Sequence, residues 1–330
     1  MRRTRRFLTF LLGAGLFAVM AVPADAVVTA DNPNSTSNGN TTPPAGIAGW
    51  YNVGVTDQAS AIYLGNGWIM TASHVGIGTT FTTASGQVYS TAGGNGAYRL
   101  TDPTTGQPAD IILYQLAPAN RPSLPTLNLA YSPQVVSNNA YYDIGYGASR
   151  TTSIEYFDGS FNSTNQASAV YGGFGYQNSG GTTESFGRNY AYNLGTTQQP
   201  QSLTSVHVTG AGGNPDYGYI TAFVGAFYNN LADYQNNNIT KFGDQVVNGD
   251  SGGGVFNSQN QLIGMMSAEG TLTNQPSSNP ALFGDQSYMA DVGTYYSQID
   301  AITGIPEPST LGLLSCACPL VLRRRRPGSK

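Results

Sequence analysis

From about Trp50 the chain alternates short apolar runs with polar, turn-forming clusters. AIYL (61–64), GWIMTAS (67–73), FTTA (81–84) and DIILYQL (110–116) are the first of these runs. AYYDIGYG (140–147), SVHVTG (205–210), YITAFVGAFY (219–228) and QLIGMMSA (261–268) follow. They are rich in Ile, Val, Tyr, Phe and Thr, and Gly, Asn, Asp, Ser and Pro separate them. Branched and aromatic side chains suit a pleated, half-buried surface, so the pattern predicts an all-β sandwich or barrel. No long stretch keeps a 3.6-residue period; SYMADVGTYYSQIDAI (287–302) alone reads as ending in a short helix. Residues 156–217, rich in Gly, Asn, Ser and Tyr, read as long loops or extra hairpins.

The two ends have a different pattern. Residues 1–26 join a basic start, MRRTRR, to an apolar run and then to Pro23-Ala24-Asp25-Ala26. This is the design of a secretory signal peptide with cleavage after Ala26, the alternative being a membrane anchor. Arg5-Arg6-Phe7-Leu8 also resembles a twin-arginine export signal, so the export route stays open. Residues 27–46 are polar, with much Asn, Thr and Pro, and read as a flexible linker. Residues 305–330 carry Pro306-Glu307-Pro308, an apolar segment and the cluster Arg323 to Arg326. This order resembles a PEP-CTERM sorting signal. The resemblance implies an exosortase-type processing enzyme, transient membrane contact through the tail, and delivery to the surface or exterior of a Gram-negative-type cell. As a helix the run Leu311–Leu322 would be about 18 Å long, short of the roughly 30 Å hydrocarbon core.

Charge sharpens this division. Only 10% of the 330 residues are charged, and the formal net charge is −4. Nine of the 14 basic residues sit at the two ends, so Val27–Ile305 keeps five of them with 16 of the 18 acids, a net of −11. An acidic body argues against nucleic acid as a partner. Both cysteines, Cys316 and Cys318, fall in the tail, which leaves the body without a disulfide framework or a thiolate zinc site. The pattern points to no metal and no cofactor.

Chemistry is confined to few residues. His74 and His207 are the only histidines. His74 follows a strand-like run in GWIMTASHVG, whereas His207 reads as a strand residue without a catalytic part. Ser251 lies in NGDSGGGVF, where glycines permit a tight turn that can aim the amides of Gly249 and Ser251 at one point. These segments resemble the chymotrypsin/trypsin-like serine peptidase family. Thr71-Ala72-Ser73-His74 is similar to the segment of its catalytic His, and GDSGG to its nucleophile loop. ADIILYQL (109–116) is similar to the segment of its catalytic Asp, IGYG (144–147) to the opening of its second barrel, and LIGMMSAEG (262–270) to its cleft-lining strand.

The resemblance spans roughly residues 47–304. It implies two packed six-stranded antiparallel β-barrels with long loops rich in Gly, Asn and Tyr. It also implies a Ser-His-Asp triad of Ser251, His74 and Asp110, an oxyanion hole from Gly249 and Ser251, and a protein or peptide substrate. Asp102, eight residues before Asp110, is the other carboxylate in reach of that role. Gln245 would stand at the base of the primary pocket, with Ser267 and Glu269 on the cleft-lining strand. In many members of the family a proteolytic cut frees an Ile or Val amine that pairs with the Asp before the nucleophile, here Asp250. Ile47 resembles such an N-terminus, but no Arg or Lys precedes it. A surface-displayed binding or adhesion protein without turnover, and an esterase using the same triad, are the competing functions.

Overall fold

The computed structural model describes residues 27–29, 41–57, 59–93, 96–133, 140–177, 183–190, 203–210, 215–228, 230–235, 243–276 and 280–305. The segments expected to be a signal peptide (1–26) and a sorting signal (305–330, beyond Ile305), most of the expected linker and both cysteines lie outside the described residues.

The chain forms a two-residue strand, β1 (Val28–Thr29), and then a first group of seven. These are β2 (Val53–Thr56), β3 (Ala59–Gly65), β4 (Trp68–Thr71), β5 (Thr80–Thr83), β6 (Val88–Ser90), β7 (Tyr98–Thr101) and β8 (Pro108–Gln115). Antiparallel ladders run β6–β5–β2–β3–β4–β8, and β7 also pairs with β8. The ring closes where Ala92 N donates to Gln115 O at 2.8 Å and Ala117 N to Ser90 O at 2.9 Å. The result is a six-stranded barrel. Its strand β3 shows why AIYL reads as a continuous apolar run. Ala61 and Tyr63 pack with Ile69, Phe81 and Tyr114, while Ile62 and Leu64 face a second core with Met70 and Leu113. A strand buried on both faces has no polar side to alternate with.

A short strand, β9 (Asn128–Leu129), leads to the second half. It contains β10 (Ala140–Gly145), β11 (Ser149–Phe157), β12 (Tyr171–Gln177), β13 (Ser185–Tyr190), β14 (Thr204–Thr209) and β15 (Asp216–Ala226). Helix α1 (Leu231–Gln235) follows, then β16 (Asp244–Gln245), β17 (Gly254–Asn257), β18 (Gln261–Gly270), β19 (Ala281–Leu282) and β20 (Gln286–Asp291). The ladders run β13–β10–β17–β18–β20–β15. The last seam is joined by a side chain: Asn189 on β13 donates to Ala226 O on β15 and to the carboxylate of Asp244. The fold is thus all-β with two antiparallel barrels, as the strand pattern predicts. The segment 156–217 holds β12, β13 and β14 whole: β12 pairs with β11 and β19, β13 with β10, and β14 with β15.

Helix α2 (Val292–Thr303) ends the body, close to the helix expected there. Asp291 caps it by accepting from Thr294 N, and Gly304 closes it at φ +64°. Tyr295 ties the helix back to the first barrel. Its hydroxyl donates to Asp102 at 2.6 Å, and Asp102 also accepts from Thr221 Oγ and from Thr104 and Thr105. Burial pushes the Asp102 carboxyl up, but the bonds from Tyr295, Thr221 and Thr105 together outweigh it and hold the carboxyl below its usual range. Its stabilising share is present above the ordinary carboxylate range and is lost as pH falls through its folded value. Asp102 is thereby a structural junction of β7, β15 and α2. Asp102→Ala, which strands five donors, is expected to lower stability by about 3 kcal/mol in urea unfolding; a change under 1 kcal/mol would contradict the junction.

Candidate active site

The loop between β16 and β17 holds Gly249, Asp250 and Ser251. Each peptide plane in it is fixed by its carbonyl. Asn248 O accepts from Ala148 N at 2.9 Å, and Asp250 O accepts from Gly253 N at 2.8 Å. A trans peptide points its N–H opposite to its C=O. The amides that follow those two carbonyls, Gly249 N and Ser251 N, are therefore turned away from these bonds. Gly249 has φ +95°, a conformation that a side chain disfavours. The peptide between them is fixed as well: Asp250 N donates to Val247 O, and Gly249 O accepts from both Ser60 N (3.0 Å) and Ser60 Oγ (2.9 Å). Ser60 Oγ also accepts from Tyr146 N at 2.8 Å. Ser60 thus joins β3 of the first barrel to the start of the second and to this loop. No motif in the sequence marked Ser60.

The structure pairs His74 with Asp110 and connects Ser251 to them only through Ser267; among the described residues no hydrogen bond joins His74 to Ser251. His74 stands just after β4, and Asp110 lies inside β8, fully buried. Asp110 Oδ1 accepts from His74 N at 2.9 Å, and Oδ2 meets His74 Nδ1 at 2.8 Å. Ser267 Oγ donates to the same Oδ2 at 2.6 Å. Asp110 rather than Asp102 is therefore the carboxylate beside His74. With Nδ1 held there, Nε2 is the ring nitrogen left for other work. Ser251 Oγ contacts Ser267 O at 3.5 Å. Ser267, expected on the substrate side, is only 2% exposed and links Ser251 to Asp110 from beneath.

Under the loop lies a set of buried carboxylates. Asp250 is fully buried and sits where a Cβ on Gly147 would come within 2.5 Å of it. A Cβ on Gly145 would also stand 2.5 Å from Asp250, so the close fit accounts for both glycines of IGYG. Asp250 accepts from Gly147 N at 2.8 Å, from Val247 N at 3.0 Å and from Val27 N. Burial pushes it up to about 7, and those three amides pull it partway back. Asp143, on β10, is held well above the usual range by burial and then by Asp244 beside it. Burial raises Glu184 to about 9, while the Tyr146 hydroxyl donates to it.

Val27 changes the reading of the linker. It is 2% exposed and packs with Tyr141, Phe223 and Met266, while Val28 packs with Phe174, Phe227 and Val247. Strand β1 pairs with β16, Val28 opposite Gln245. The start of the expected linker is thus a buried strand, because its two valines enter two different cores. Ile47 is also buried, but it precedes a 3-10 turn at Ala48–Asn52, and among the described residues it gives Asp250 no bond.

The expected pocket residues separate. Gln245 is 1% exposed and donates to Gln286 O at 3.0 Å, so its side chain is occupied within the protein. Glu269 is exposed, pairs across the ladder with Ser287, and is walled by protein so that burial and then Asp285 raise it to about 7. His207 lies on exposed β14, bonded to Asp216 at 3.0 Å and stacked on Tyr219.

No protein-family model matches the chain, and no curated protein matches it. Solved structures do resemble it. The protease Rv3671c from M. tuberculosis, in its inactive form, is 13% identical at a TM-score of 0.41 over 77% of this chain and 90% of that one. A mutant of human heparin-binding protein is 14% identical at 0.46 over 82% and 98%. The HtrA-type protease AlgW is 12% identical at 0.38 over 74% of this chain, which spans about half of that protein. At such scores the likenesses say nothing of chemistry.

The buried carboxyls set a pH dependence of stability. In the fold Asp285 is raised to about 6, Asp250 to about 7 and Glu184 to about 9, in each case chiefly by burial. The unfolded chain releases these protons near 4. Stability should therefore fall as pH rises from about 4 towards 7 and beyond. In protein that keeps residues ahead of Val27, the urea midpoint is expected to drop between pH 5 and 8, and less steeply in Asp250→Asn. A flat or rising midpoint would contradict this.

Proposed function

We propose that the chain is an exported serine endopeptidase of the chymotrypsin/trypsin-like kind. What supports the reading above all is one arrangement: His74 bonded to buried Asp110, Ser251 beside Ser267, and two amides turned outward next to Ser251. Ser251 Oγ attacks the carbonyl carbon of a peptide bond while His74 Nε2 takes its proton. The carbonyl oxygen gains the charge and is met by the amides of Gly249 and Ser251. The C–N bond then breaks, His74 returns the proton to the leaving amine, and the acyl group stays on Ser251 as an ester. Water, deprotonated by the same ring, releases the acid. Asp110 holds the ring tautomer and its charged form. Glu269 is the acid offered to the substrate side of the cleft, while Gln245 is bonded to Gln286 O, in backbone distant from it in sequence.

Export and activation converge on one bond in this reading. Removal of the leader after Ala26 by signal peptidase makes Val27 the N-terminus. The amide that Asp250 accepts then becomes an ammonium, which is the counter-ion a buried carboxylate lacks. β1 is already in register with β16 to hold it. This replaces the Ile47 end suggested by sequence. The tail beyond Ile305 is processed by an exosortase-type enzyme after transient membrane contact, leaving the peptidase at the surface or exterior of a Gram-negative-type cell.

Protein spanning Val27 to Gly304 should react with a fluorophosphonate probe. Ser251→Ala and His74→Ala should abolish labelling, and Asp110→Asn should slow it by about a thousandfold. No labelling in a folded sample would overturn the peptidase reading, and cleavage of esters but of no peptide in a library would favour the esterase.

The Val27 amine has its own test. Protein that begins at Val27 should label at least about tenfold faster at pH 7 than protein with Asp25-Ala26 retained. Equal labelling of the two forms would refute this activation route.

A further inference from the structure

We propose that Tyr217 is a positioning residue for His74, placed there by a strand that reaches from one barrel into the other; this rests on the peptidase reading. The Tyr217 ring lies against the His74 ring, with centroids 5.0 Å apart and planes at 43°. Tyr217 belongs to β15, a strand of the second barrel, whereas His74 and Asp110 belong to the first. β15 runs past its own ladder and meets β8 in parallel, Tyr219 opposite Ala109, the residue before Asp110.

The backbone at Tyr217 is fastened to that strand. Arg99 reaches across with two bonds, Nε to Ala109 O at 2.8 Å and an Nη to Tyr217 O. Gly218 makes the approach possible. It has φ +98°, and a Cβ there would stand 2.3 Å from Pro108 O and 2.6 Å from the Arg99 guanidinium. Asp216 accepts from Gly218 N at 2.8 Å and from His207, which stacks on Tyr219 at 4.4 Å. The second histidine, without a part in the triad, stiffens the hairpin that carries Tyr217.

The chemistry needs this contact for a definite reason. Asp110 holds His74 by one edge, through Nδ1 and the backbone N–H. A ring gripped by one edge can still tilt about that bond, which moves Nε2 relative to Ser251. An aromatic face against the imidazole limits the tilt, keeps water off the His74–Asp110 bond, and favours the imidazolium formed during reaction. The Tyr217 hydroxyl has no role in this account; the ring does.

The test uses a small activated ester, which does not extend along the cleft. Tyr217→Ala and Tyr217→Leu are expected to lower kcat about five- to tenfold with KM within twofold, and Tyr217→Phe to restore kcat. A Phe variant no better than Leu, an effect on KM alone, or no effect would each overturn the proposal. A second readout needs no turnover. In the Ser251→Ala protein, the low-field proton resonance of His74 Nδ1–H should be sharp, and it should broaden by faster solvent exchange when Tyr217→Ala is added. An unchanged resonance would refute positioning even if the wild type proved inert to the fluorophosphonate, and a sharp resonance lost on Tyr217→Ala in an inert protein would leave positioning standing while the peptidase reading fell.

Discussion

A carboxylate taken fully out of water must find donors, and Asp250 finds them in three separate segments of the chain. Gly147 lies at the opening of the second barrel, Val247 at the entrance to the loop that carries Ser251, and Val27 just before β1. Each donor is a backbone amide, so each constrains main chain rather than a mobile side chain. The loop that carries Ser251 is therefore shaped from below by where Asp250 is held. Its peptide planes are then fixed one by one, through Ala148, Gly253 and Ser60. An oxyanion site is useful only if its donors need not reorganise when charge appears. In the oxyanion site proposed above, the rigidity would lie in the bonded carbonyls, with the N–H groups opposed to them by peptide planarity.

The second dependence is between the barrels. His74 and Asp110 come from the first, Ser251 and Ser267 from the second, and no disulfide is available in the described body to brace them. Side chains and backbone crossings do so instead. Ser60 ties β3 to the nucleophile loop, Ser267 reaches Asp110, Asp102 gathers Tyr295 and Thr221, and β15 crosses to β8. Each crossing is a buried polar contact, which loses much of its value if one partner leaves. The candidate site and the barrel interface are consequently one structure: loosening a crossing moves His74, Asp110 or Ser251.

Much of this was legible in sequence because strongly patterned runs are where strands form. AIYL, WIMT, DIILYQL and QLIGMMSA all fall in strands, and the helix at 292–303 lies where its period suggested. The pairing of His74 with Asp110 was legible because their flanking segments are rare combinations. What escaped had no local signal. Two residues of strand, Val28–Thr29, are too short to show a period, and polar neighbours made them read as linker. Ser60 is an ordinary strand serine until the fold brings Gly249 and Tyr146 to it. Tyr217 gives no sign in sequence of the histidine 143 positions earlier, because the contact depends on β15 overrunning its barrel. Gln245 looked like a pocket residue by its spacing from Ser251, but its amide is used inside.

The acidic composition then acquires a structural sense. Asp143, Asp244, Asp250 and Glu184 lie in the interior of the second half, where burial holds Asp143, Asp250 and Glu184 above their ordinary range. A core that stores protons in this way is costly at neutral pH unless a cation enters it. A chain with five basic residues between Val27 and Ile305 has few side chains to send. An α-amine needs no side chain and arrives on a backbone that is already paired, at a position where two valines are already packed. In the activation route proposed above, a body so poor in Lys and Arg would draw its cation from the new end of the chain at Val27.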